Sequence, residues 1–209
     1  MNSRKYSPQE QFWKGDFGDD YINRNNSDEL LKAKTEFWSG VLQNKIEQIK
    51  SAIELGANVG LNLTAIKSIF KSIDTFGVEI NKRAFEEMER RGHQGENLPV
   101  LDFHSKGVKW DLVLVNGVLI HQNPDHLNSF YNKIAEVAAK YVIIGESFSS
   151  TPEAVTYRGH KDKYFKRDFA GEFIDQNPGF EIESCFFAYR RININYDDSL
   201  VVVLRKIQE

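Results

Sequence analysis

Residues 53–62 read IELGANVGLN and bring a carboxylate, two glycines and two amides together between an apolar run and an amphipathic one. Gly56 and Gly60 carry no Cβ, so backbone there can approach a ligand closely. Asn58 tolerates the left-handed conformation of a tight turn better than most residues. It stands where dinucleotide-binding loops have their middle glycine, so the G-x-G-x-x-G pattern is not met. A strand-to-helix turn of this kind suits a phosphate or a nucleotide, although glycines also serve ordinary turns. Glu79 lies 19 residues beyond Gly60. That is close to the ~20 at which an acidic side chain accepts from ribose hydroxyls. The competing role for Glu79 is a cap on the helix that begins near Lys82. Together the two signals point to an adenosyl ligand.

Glu54 selects among adenosyl ligands. A carboxylate beside the pyrophosphate of NAD is electrostatically unfavourable. Two residues before the first glycine it suits S-adenosylmethionine (SAM), fixing the loop and meeting the cationic amino-acid end. Asp102 is placed to accept from an adenine amino group while Phe103 packs the ring; the alternative is a plain loop aspartate. The segment 111–124 ends an apolar strand with Asn116, Gly117 and His121. Ligands of open α/β sheets bind beyond the carboxyl ends of the strands, so these three fall near the methionine portion of the cofactor. His121 is the candidate base, since an unperturbed imidazole titrates near ~6.5. A structural histidine capping the following helix is the other reading. The segment lacks the D/N-P-P-Y/F tetrapeptide of enzymes that methylate the amino groups of nucleic-acid bases.

These residues need a scaffold, and the periodicity supplies one. Strands are expected at 51–55, 76–78, 98–101, 111–115 and 141–144. Helices are expected at 62–70, at 82–91 and from Pro124 to about 139. Strands this apolar belong to a sheet covered on both faces, and their alternation with helices implies parallel βαβ units. The runs 180–189 and 199–205 have only a turn-rich loop between them, so the sheet should end in an antiparallel hairpin. Residues 1–50 differ: Phe12, Trp13, Phe17, Tyr21, Phe37 and Trp38 stand among polar groups, and Ser27 is a plausible N-cap. This stretch reads as a helical cap or lid, with residues 51–209 as the ligand-binding domain.

Of the 209 residues, 41% are hydrophobic and 27% charged, with a net charge of −3. Such a chain fills a sizeable core, which excludes disorder and small disulfide scaffolds. The charge balance argues against a globally basic nucleic-acid binder, while leaving room for a local basic patch, and no nucleic-acid partner is expected. The single Cys185 cannot form an intrachain disulfide, and no Cys/His cluster has metal-site spacing. The start lacks the apolar core of a signal peptide, and no run reaches the ~20 residues of a membrane span. A soluble cytoplasmic protein without a metal is expected.

Residues 54–62, Glu79 and 111–124 together resemble the class I SAM-dependent methyltransferases. More narrowly, FWKGDFGDDYINRN (12–25), NGVLIHQNPD (116–125) and YRGHKDKYFKRDFAGE (157–172) look like the family of pseudaminic acid biosynthesis-associated methylases. The resemblance implies a Rossmann-like, seven-stranded, mostly parallel sheet and methyl transfer from SAM, with release of S-adenosylhomocysteine. It also implies a small sugar-derived acceptor. Within the first segment, Arg24 suits the SAM carboxylate through a charge-assisted fork, and Tyr21 suits closure over the sulfonium. Within the third, Tyr157, Arg158, His160, Lys166 and Arg167 form a cationic, aromatic loop fit for an anionic acceptor, or else a solvated charged surface. Two rival classes remain at this level: an NAD-dependent oxidoreductase and a non-catalytic protein of the same fold.

Overall fold

A computed structural model describes residues 4–43 and 49–207. Helices α1 (Pro8–Lys14), α2 (Asp16–Arg24) and α3 (Asp28–Leu42) come first. Ser7 starts α1 through a capping box: its hydroxyl accepts the Glu10 N–H at 3.1 Å, and Glu10 accepts the Ser7 N–H at 2.7 Å. Ser27 caps α3 by accepting from the Leu30 N–H. There follow β1 (Ser51–Leu55), α4 (Leu61–Ile69), β2 (Asp74–Val78), α5 (Lys82–Arg90) and β3 (Gln94–Glu96). Then come β4 (Trp110–Asn116), α6 (Leu127–Val137), β5 (Ala138–Glu146), β6 (Glu153–Ala154) and β7 (Phe165–Lys166). The chain ends in α7 (Phe169–Gln176), β8 (Phe180–Ala188) and β9 (Ser199–Lys206).

Seven strands form one sheet in the order β3-β2-β1-β4-β5-β9-β8. The first five are parallel neighbours, and β9 runs antiparallel between β5 and β8. The expected architecture is present: a mostly parallel, Rossmann-like sheet closed by an antiparallel hairpin. One element differs from the sequence expectation. The third strand is Gln94–Glu96, not 98–101, where a 3₁₀ turn over Val100–Asp102 stands instead. Pro99 explains this, because it has no N–H to give a ladder and its fixed φ starts a turn. The α6 region also starts as a 3₁₀ turn, Pro124–His126, before the helix proper begins at Leu127.

Alternation along the strands sends successive side chains to opposite faces. Ile53, Val113, Val115 and Ile144 form one core cluster with Phe130, Ile134 and Phe173 of α6 and α7. Ala52, Leu112, Leu114 and Ile143 form the other with Trp38 and Leu42 of α3 and Ile66 of α4. Helix α3 is therefore part of the sheet's core packing. Helix α2 docks differently, through Ile22 against Val59, Leu61 and Ala84 at the top of the sheet. A site beyond the carboxyl ends of β1, β2 and β4 thus has a rigid floor and a helical roof.

Candidate active site

Glu54 shares the face of Ala52, so its side chain turns toward α3 and α4 rather than into the α6 side. There its Oε1 accepts from Asn62 Nδ2 at 2.6 Å, and the Asn62 oxygen accepts from Lys34 Nζ at 2.8 Å and Trp38 Nε1 at 3.1 Å. Its Oε2 is buried without a hydrogen-bond partner among the described residues. Burial pushes the Glu54 carboxyl well above the usual carboxylate range and pushes Lys34 below its own. A buried carboxylate with one oxygen unsatisfied is costly unless a cation or donor meets it.

The turn after β1 is shaped by φ +86° at Gly56, +48° at Asn58 and +76° at Gly60. Asn58 thus adopts the left-handed conformation its side chain tolerates. At Gly56 a Cβ would lie 2.5 Å from Val118, so only glycine allows the turn to pass the β4 loop. Glu79 closes this turn from β2. Its Oε2 accepts the Asn58 N–H and its Oε1 the Asn81 N–H, each at 2.7 Å. Burial raises its pKa against the pull of these donors. The cap of α5 is Asn81, not Glu79, and Glu79 is left facing the cavity.

That cavity holds about 840 Å³ beneath α1 and α2, large for a small-molecule site. Its floor is formed by Glu54, Gly56, Asn58, Glu79, Asn116 and Gly117, and Tyr21 and Arg24 line it from the roof. Arg24 lies over the Phe17 and Tyr21 rings, 5.6 and 5.5 Å from their centroids. His121, Tyr157, Arg158 and Lys166 line its other end. His121 Nδ1 donates to the Lys163 carbonyl at 2.6 Å, which leaves Nε2 as the basic nitrogen. Burial lowers the His121 pKa to about 4, so the ring is neutral across the physiological range. Trp13, Tyr157 and Tyr164 surround it with ring centroids 4.6, 5.0 and 5.4 Å away.

Five expected site residues lie elsewhere. Phe103 is 1% exposed and packs with Phe76 and Trp110 in the core, because the 3₁₀ turn after Pro99 rotates it inward. Asp102 pairs with Arg4 at 2.9 Å and faces away from the cavity, whose wall here is Pro99, Val100 and Leu101. Arg167 is held by Glu172 at 2.7 Å. His160 is exposed and sits against Phe12 and Phe17. Gly60 lies under the turn, where Met88 and His93 leave no room for a Cβ.

Other residues escaped the sequence reading. Asn62 of α4 bonds Glu54 directly, and Lys34 and Trp38 of α3 are linked to it through the Asn62 oxygen. Glu146, at the end of β5, accepts the N–H groups of Val118 and Leu119 at 2.9 Å each and so fixes the loop that carries His121. Ser147 and Tyr164 share a 2.6 Å hydroxyl contact on the cavity wall. Only Glu146 had a legible signal: like Glu79, it is an acid that ends an apolar strand.

Among the described residues, no group of His, Cys, Asp and Glu side chains could hold a metal ion, and no helix is long and apolar enough to cross a membrane. No family model matches the sequence, and no curated protein matches it. Solved structures do match. The magnesium protoporphyrin IX methyltransferase of Synechocystis, determined with bound SAM, is 12% identical with a TM-score of 0.69, covering 98% of this chain and 100% of its own. The 1,6-didemethyltoxoflavin-N1-methyltransferase of Burkholderia thailandensis is 17% identical with a TM-score of 0.72, covering 100% of this chain and 94% of its own. A SAM-dependent methyltransferase of Clostridium acetobutylicum is 10% identical with a TM-score of 0.65, covering 92% and 98%. The fold is that of the class I SAM-dependent methyltransferases.

Proposed function

We propose that this chain transfers a methyl group from SAM to an oxygen or nitrogen of a small anionic acceptor. The observation that carries the reading is the pair of buried carboxylates on either side of the glycine turn, Glu79 tied to its backbone and Glu54 with one oxygen unmet. Bound SAM would bring an electrophilic methyl on a sulfonium that is its own leaving group. Glu54 would meet the ammonium, and Lys34, reached through Asn62, would help hold Glu54 ionised once that cation arrives. Glu79 would accept from the ribose hydroxyls with lone pairs its two N–H partners leave free. Asn116 and Gly117 would border the methionine portion, and Arg24 would take its carboxylate, with Tyr21 beside it.

At the other end, His121 Nε2 would take the acceptor's proton as the methyl arrives. Trp13, Tyr157 and Tyr164 would exclude water around it. Among the described residues, Arg158 and Lys166 have no acidic partner, whereas Arg4 and Arg167 do. Unpaired cations on a cavity wall favour an anionic acceptor. With the sequence resemblance, a cytoplasmic sugar acid or nucleotide sugar of nonulosonic acid biosynthesis is the acceptor class to test first.

Titration calorimetry with SAM, S-adenosylhomocysteine and NAD tests the cofactor. NAD binding without SAM binding would return the oxidoreductase reading. Mass gain across a panel of sugar acids and nucleotide sugars tests the acceptor, and SAM binding with no methylation of any class would favour a non-catalytic role.

A further inference from the structure

We infer that Asn81 is a positioning residue that ties Glu79 to the roof of the cavity, so that cofactor binding docks α1 and α2 and completes the acceptor wall. The inference rests on the cofactor reading above. Asn81 makes three kinds of bond at once. Its backbone N–H donates to Glu79 Oε1 at 2.7 Å. Its side-chain oxygen accepts the Ala84 N–H at 3.0 Å and caps α5. That fixes the amide's orientation and turns Nδ2 upward, where it donates to Asp19 Oδ1 of α2 at 2.8 Å and to the Trp13 carbonyl at 3.4 Å. Serine or aspartate caps a helix as well as asparagine does. Neither offers an N–H. The donor, not the cap, distinguishes asparagine here.

The roof is cut to receive it. A Cβ on Gly18 would lie 2.0 Å from the Trp13 carbonyl and 2.8 Å from Asn81 Nδ2. The roof's far end forms part of the acceptor wall: the Trp13 ring stands 4.6 Å from His121, and Gln9 Nε2 donates to the Asp162 carbonyl at 3.0 Å. One short helical unit therefore touches the neighbour of Glu79 at one end and the candidate base at the other. A ligand held by Glu79 restrains that carboxylate, and with it the Asn81 backbone and the seat of the roof. The coupling must be reciprocal, so acceptor in its site tightens cofactor binding by the same factor.

The test is amide hydrogen exchange over residues 8–24 with and without S-adenosylhomocysteine, with its affinity measured in parallel. In the wild-type protein the compound should slow exchange there by about tenfold or more. Asp19→Asn loses only the 3.5 Å ion pair of Asp19 to Arg83 of α5. Asp19→Ala loses that pair and also removes the acceptor from the roof, without touching Glu79 or the α5 cap. It should lose most of that protection, as should Asn81→Ser, while α5 exchange stays unchanged and Asp19→Ala binds the compound within about tenfold of wild type. Asp19→Asn keeps an oxygen for Asn81 Nδ2 and should restore protection. Full protection in Asp19→Ala, or a wild-type protein that binds without any change over 8–24, would overturn the coupling. Wild-type protein that fails to bind the compound would overturn the cofactor reading itself, and the coupling with it.

Discussion

At the β1–β2 end of the cavity, carboxylates are held by hydrogen bonds: Glu79 by the backbone N–H groups of Asn58 and Asn81, Glu54 by the Asn62 side chain, which Lys34 and Trp38 hold in turn. At the other end the groups meet mainly ring to ring. His121 sits among Trp13, Tyr157 and Tyr164, and the cations Arg158 and Lys166 stand without acidic partners among the described residues. The first end is a polar frame with short hydrogen bonds, suited to one fixed ligand. The second is held mainly by weakly directional aromatic contacts, and it meets the first through the α1–α2 roof that carries Trp13. On the proposed reading, the sheet end holds the cofactor together with Tyr21 and Arg24 of the roof, and the covering elements at the other end set the acceptor.

Changes at the two ends should therefore separate chemistry from cofactor binding. The largest effect is expected from His121→Ala, which should lower kcat by about 10²–10⁴-fold, with SAM affinity within a few-fold of wild type. With a pKa of about 4, His121 should also leave kcat/KM flat through the pH range where free histidine titrates. An acid limb centred near 6.5 would mean that another histidine is the base. Glu79→Ala comes next. Losing a charged acceptor and leaving two N–H groups unmet should weaken SAM binding by roughly 1.5–3 kcal/mol, about 10–150-fold. Unchanged calorimetric affinity would remove Glu79 from the cofactor site. A smaller effect is expected for Arg158→Ala and Lys166→Ala: acceptor KM up by about 3–10-fold each, mimicked by salt, with SAM affinity constant. A salt-independent KM would make the loop ordinary solvated surface.

The contrast between the ends also explains what could be read from the sequence. The Glu54–Gly60 turn and Glu79 are set by spacing along one βαβ unit, and a periodic pattern fixes where such a unit turns. The acceptor end gathers Trp13, His121, Ser147, Tyr157 and Tyr164 from α1, the β4 loop and the long loop after β5, and no local period links them. Asp102 and Phe103 lie outside the cavity for a local reason. Pro99 turned an expected strand into a 3₁₀ turn, moving one side chain to Arg4 and the other into the core. Arg167 is drawn from the cavity wall by a nearby carboxylate, Glu172 on the next helix; nothing in the local sequence distinguishes it from Lys166.

The smallest predicted effect concerns pH, and it distinguishes the carboxylates of the two ends. Glu54, Glu79 and Glu146 all titrate higher in the folded protein than in the unfolded chain, Glu146 at about 8. From pH 4.5 up to about 8 for Glu54 and Glu146, the native state therefore binds more protons and stability falls as pH rises, by at most about 1.4 kcal/mol per unit for each group, with Glu79 acting in the same direction. The buried His93 and His121, both lowered to about 4, act in the opposite sense, but only between about 4 and 6.5. From pH 6.5 to 8 the lowered Lys34 opposes the three carboxylates, which outnumber it, so the melting temperature of the ligand-free protein should decline across that range. Glu146→Gln should flatten part of the decline, because an amide holds no proton to lose. S-adenosylhomocysteine should flatten a different part, since on the proposed reading its ammonium would ionise Glu54 and remove that group's excess proton, while Glu146 would keep its own. The two effects should then add, as expected for groups that share no partner. If the compound abolishes the whole slope and Glu146→Gln changes nothing further, the two ends are electrostatically one site.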